Sequence, residues 1–160
     1  MSTPFNGIIN VDVRDSTPDW TPYTEPSAPE GAPNVLIVLY DDTGLASWEP
    51  FGGRIEMPTL KKLADNGLLY SQWHTPALCS PTRSCFLTGR NHHQNGMACI
   101  TEGAIGYPGG NAHIPPECGT LAEVMRKAGW STFWLGKNHN GPVDDLHAGS
   151  TKETWPLHQG

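Results

Sequence analysis

The chain is 160 residues long, enough for one domain with a core of its own. Its formal charge of -6 argues against a nucleic-acid partner, which would require a basic stripe, and no apolar run reaches membrane-spanning length. With 18 glycines, 15 prolines and 37% hydrophobic residues it is loop-rich, yet its periodic apolar segments argue against general disorder.

Residues 1–33 are punctuated by Pro4, Pro18, Pro22, Pro26, Pro29 and Pro33 and read as an extended arm that either wraps a body or is mobile. The arm shows no charged segment followed by an apolar one, so no signal peptide is visible and a cytoplasmic location is expected. There, Cys79, Cys85, Cys99 and Cys118, which fit no zinc spacing, should be free thiols.

The body, residues 34–160, opens with the unbroken apolar run Val35 to Tyr40, which predicts a strand buried on both faces and ending at Asp41-Asp42. Pro58 suits a first helical position, Leu60, Leu63 and Ala64 share a helical face, and Gly67 is placed to close that helix. Residues 68–74 read as a weaker strand. Ser80 as N-cap and Pro81 as first residue start a second helix that should turn Cys85, Phe86 and Leu87 inward and stop at Gly89.

Residues 101–119 form a long Gly- and Pro-rich loop, of the length that is usually functional or mobile. Thr120 and Glu123 make a capping box for a third helix carrying Leu121, Val124, Met125 and Ala128 on one face, with Gly129 as its stop. Residues 130–135 read as another strand, running into Gly136-Lys137-Asn138-His139. Asp144-Asp145 reads as a solvated turn.

Strands alternating with helices define an α/β fold with a largely parallel sheet. Such sheets bind ligands beyond the carboxyl ends of their strands, so Asp41, Asp42, Lys137 and His139 should share one edge.

Adjacent Asp41 and Asp42 repel each other and invite a hard divalent cation, although a loop start or helix cap explains them equally well. In Cys79-Ser80-Pro81-Thr82-Arg83, the cysteine lies just before a helix N-terminus and the arginine one turn later. That pattern fits an activated anionic nucleophile with an anion-binding partner; the plainer reading is a buried cysteine beside a surface arginine. His74, His92 and His93 could line a pocket, but surface or hydrogen-bonded histidines are commoner. His113, His147 and His158 are read as non-ligands.

The segment Cys79 to Arg83 resembles the sulfatase signature C-x-P-[ST]-R, and Thr88-Gly89-Arg90 is similar to the element that follows it. The strand ending in Asp41-Asp42 and the Lys137-x-His139 pair fall in the family's order. The resemblance covers roughly residues 33–140.

It implies an alkaline-phosphatase-like sandwich with a largely parallel central sheet, of which 34–160 would be the N-terminal part. It also implies oxidation of Cys79 to formylglycine by a separate maturation enzyme. The hydrated aldehyde would attack the sulfur of a sulfate ester with one hydroxyl and drive sulfate release with the other. Asp41, Asp42 and residue 79 match metal ligands, usually for calcium, with magnesium as the other candidate. Arg83 matches the arginine that holds the nucleophile, Lys137 a sulfate-gripping lysine, and His139 a histidine that orients or deprotonates the second hydroxyl. Asn138 stands where an aromatic residue is usual.

The family draws further metal ligands, another lysine and another histidine from later in a longer chain, so a fragment is expected here. Alternative readings are a phosphonate monoesterase or phosphodiesterase with the same nucleophile, and a non-catalytic remnant that binds an anion or a partner. A cysteine phosphatase ranks low, because its loop is C-x5-R and the spacing here is C-x3-R.

Overall fold

The computed structural model describes residues 4–22 and 26–160. Parts of the proline-rich arm, 1–3 and 23–25, lie outside them. Three α-helices carry the body: α1 (Pro58–Asp65), α2 (Cys79–Thr88) and α3 (Leu121–Lys127), joined by turns and single 3-10 turns.

Each helix has a sequence cause. Pro58 opens α1, since its missing N–H is not needed there, and Asn66 rather than Gly67 caps its end. In α2 the N-cap is Leu78, with Cys79 already the first helical residue. Ser80 therefore does not cap, and its buried hydroxyl finds no partner. Pro81 is tolerated because the third helical N–H has no intrahelical acceptor anyway. Gly89 ends α2 in the left-handed region, φ 65. In α3 the capping box is complete: Thr120 Oγ1 accepts from Glu123 N at 3.0 Å, and the Glu123 carboxylate accepts from Thr120 N at 2.7 Å.

The expected sheet is not formed. Among the described residues the only β pairings are isolated bridges, Ile8 with Thr17 and Trp48 with Ile55. The run Val35 to Tyr40 and residues 68–74 and 130–135 have no strand partner. Their apolar side chains, Trp130 apart, are open to solvent, with Leu36 87% and Leu135 95% exposed. A strand exists only where a neighbour pairs its N–H and C=O groups, and the apolar pattern alone supplies no neighbour.

The interior is instead largely polar. Leu87, Met97 and Ala112 are buried alongside Ser80, Arg83, Ser84, Asn95, Thr101, Thr120, Asn140 and Asp145. On α2 the buried positions Ser80, Arg83, Ser84 and Leu87 follow helical spacing, so this mostly polar face is the inward one and Phe86 is exposed. α2 packs against α3, while α1 packs against the turn Glu49–Phe51.

The arm touches the body. Trp130 Nε1 donates to the Pro33 carbonyl at 3.2 Å, and the Ser27 carbonyl lies where a side chain at Gly129 would sit. Among the described residues no helix is long and apolar enough to cross a membrane.

Candidate active site

α2 projects its first residue, Cys79, at an end where helical N–H groups lack acceptors. One turn later Arg83 is 5% exposed and spans two other segments. Its Nη1 donates to the Lys137 carbonyl at 2.7 Å and its Nη2 to Asp41 Oδ1 at 3.2 Å. Lys137 Nζ donates to Asp41 Oδ2 at 2.8 Å. Asp41 thus bridges both cations, and residues far apart in sequence meet on one carboxylate.

The charges respond to one another. Lys137 first, then Arg83, holds the Asp41 carboxyl below its ordinary range. Asp41 in turn raises the Lys137 ammonium, with a smaller contribution from nearby Cys79.

His139 closes the group. Its Nδ1 lies 3.1 Å from Cys79 Sγ, while its Nε2 lies 2.9 Å from both carboxylate oxygens of Glu102. The ring is mostly buried, with its backbone in the left-handed region at φ 57. Beside it the buried Asn140 amide, with its nitrogen facing inward, donates to the carbonyls of His139 at 3.1 Å and Ser80 at 3.0 Å. That ties the start of α2 to the histidine segment.

Cys79, Arg83, Lys137, His139 and Asp41 are therefore brought together. Asp42, the other residue singled out with Asp41, turns the chain at φ 50 and makes no ion pair among the described residues.

Other residues have structural placements. His92 Nδ1 is 3.1 Å from the Met97 carbonyl, and exposed His93 is 3.2 Å from Asn91 Oδ1 through its own Nδ1. His74 is exposed. Asp145 is a correction to the solvated turn: it is 6% exposed and gathers the amides of Lys152 (2.8 Å) and Thr154 (3.0 Å) with the Thr154 hydroxyl. Glu102 and Asn140 were not singled out by the sequence. A histidine base needs a partner for its second nitrogen, which signals that some carboxylate or carbonyl must exist but not which.

The donors in this arrangement do not make a metal centre. Among the described residues no three His, Cys, Asp or Glu side chains are grouped to hold an ion, and both Asp41 oxygens are engaged by cations. Calcium takes six to eight oxygens, and Asp41, Asp42 and residue 79 fall short of that.

The family model for sulfatases matches residues 33–151. An arylsulfatase of Klebsiella aerogenes is 35% identical over 119 residues, 73% of this chain and 26% of the relative. An uncharacterized sulfatase of Schizosaccharomyces pombe is 32% identical over 137 residues, 80% of this chain and 25% of its own. Human steryl-sulfatase is 32% identical over 132 residues, again 80% of this chain and 22% of its own. The chain belongs to the sulfatase family, and it spans about a quarter of the length of these relatives.

Proposed function

We propose that the chain carries the nucleophile side of a sulfate monoester hydrolase, with residue 79 converted to formylglycine by a maturation enzyme. The observation that carries this is the placement of Cys79 at the head of α2, against His139 and beside two cations joined through Asp41. Formylglycine supplies a hydrated aldehyde, whose two hydroxyls divide attack on sulfur from release of sulfate.

This chain's own side chains have distinct parts around that group. Arg83 is locked in place and lends positive charge behind residue 79. The Lys137 side chain is 42% exposed and its ammonium gives Asp41 one hydrogen bond, leaving donors for a sulfate oxygen. His139 Nδ1 accepts a proton from the side chain of residue 79. Asp41 sets the distance between the cations.

Calcium or magnesium on Asp41, Asp42 and residue 79 belongs to the same proposal. The donors as they lie do not hold it. The alkaline-phosphatase-like sandwich is also part of the proposal; it is supported by the apolar run Val35 to Tyr40, whose side chains are exposed as those of an inner strand would be without its neighbours.

The test is co-expression with a formylglycine-generating enzyme. Oxidising –CH2SH to –CHO should lower the mass of the Cys79 peptide by about 18 Da, as the required nucleophile demands. Sulfate release from an aryl sulfate, with an aryl phosphonate ester for comparison and Cys79→Ala as control, then reads the activity. A peptide that stays a thiol after co-expression sinks the proposal.

A further inference from the structure

The loop 101–119 reaches the active site through one residue. Glu102 sits in the single turn Thr101–Gly103, whose Thr101 is buried. The turn is closed by Gly103 N donating to the Ile100 carbonyl at 2.9 Å, and the Thr101 hydroxyl donates to Glu102 Oε2 at 3.2 Å. Its own backbone N–H, then the His139 ring, holds the Glu102 carboxyl below its ordinary range, so it is an anion at neutral pH. Both its oxygens lie 2.9 Å from His139 Nε2.

An ionised carboxylate only accepts hydrogen bonds. The proton of a neutral His139 ring is therefore on Nε2, and the nitrogen 3.1 Å from Cys79 Sγ is the bare one. A ring nitrogen turned to the nucleophile is useful as a base only in that form.

We propose that Glu102 is a positioning residue: it holds His139 in the Nε2–H tautomer and aims the bare Nδ1 at the side chain of residue 79. This deepens the sulfate-ester reading by naming what orients its base. The Glu102–His139 geometry itself does not depend on the substrate.

The experiment uses the 160-residue chain with 15N-labelled histidine, as native protein and as Glu102→Ala and Glu102→Gln. Glu102 is 59% exposed in its side chain, so truncation removes no core contact. Long-range proton–nitrogen correlation should show His139 Nδ1 and Nε2 at the well-separated shifts of a single tautomer in the native chain. In Glu102→Ala they should converge toward averaged values. In Glu102→Gln they should stay apart, because the amide oxygen still accepts from Nε2–H.

A second reading is the rate at which iodoacetamide alkylates Cys79, followed by peptide mass. It should fall on the order of tenfold in Glu102→Ala, taken from the lower end of losses when a metal-bound histidine loses its outer partner. It should recover in Glu102→Gln, with Cys85, Cys99 and Cys118 as internal controls. Native-like nitrogens in the alanine variant, or a glutamine variant as disturbed as alanine, overturn the assignment. Neither reading needs a sulfate ester. Loss of sulfatase turnover with an intact tautomer effect would therefore count against the function proposal alone.

Discussion

Replacing Arg83 by lysine tests whether the site is held by the geometry of the guanidinium or merely by its charge. Arg83 is buried and bonds two partners at once, the Lys137 carbonyl at 2.7 Å and Asp41 at 3.2 Å. A lysine is a point charge on a flexible stem and cannot reproduce that fork. If it stays with Asp41, the Lys137 carbonyl loses a hydrogen bond from a charged donor, which costs about 1.5–3 kcal/mol. With a urea slope of about 2 kcal/mol per molar, the unfolding midpoint should drop by about 1 M. Fluorescence of the chain's six tryptophans follows the transition. A midpoint within about 0.3 M of the native value, a margin set by that slope, would refute the claim that Arg83 fixes the Lys137 segment to α2.

Further outcomes follow from the same contacts. Thr120→Ala removes the cap of α3 and should cost about 1 kcal/mol, read from the same urea titration. Asp145 has its carboxyl held well below its ordinary value of 3.8, first by the Thr154 hydroxyl and then by the Thr154 and Lys152 amides. A depressed carboxyl contributes stability that is full above 3.8 and fades as pH falls through the folded value. Amides of residues 150–155 should therefore keep their hydrogen-exchange protection down to pH 3.8 in the native chain and lose it progressively as the pH falls from there toward the folded value, whereas Asp145→Asn should show that loss already at neutral pH. On the proposed function, Lys137→Met should lower sulfate-ester turnover by about 100-fold, the size of effect expected when one preorganised donor is lost, and should leave the Cys79 mass shift intact.

How much of this could be read from the sequence depends on whether the responsible contact is local. The capping box at Thr120 and Glu123 and the left-handed stop at Gly89 were legible, because each is decided within a few residues. The strand at Val35 to Tyr40 was not, because its apolar pattern states a need for neighbours without providing them. The inward face of α2 was misread for a related reason. Phe86 looked like core, but the helix turns Ser80, Arg83 and Ser84 inward, since Arg83 has to reach Asp41 and the Lys137 carbonyl. Among site residues, Cys79, Arg83, Lys137 and His139 stood out by motif. Glu102 did not, because what distinguishes it is an approach across 37 residues to a ring nitrogen.

On the proposed function an acidic chain presents an anion site, and Asp41 accounts for how. Taken alone, Arg83 and Lys137 repel each other, and a net charge of -6 around them disfavours sulfate. One carboxylate between two cations leaves that trio with a net positive charge and suppresses their repulsion. Burial of Arg83 keeps its charge close to the start of α2, where unpaired N–H groups act in the same direction. The Lys137 side chain, 42% exposed, is the more accessible of the two cations. The division is a physical one: on the proposed function the buried cation organises, the exposed one binds, and Asp41 joins the two.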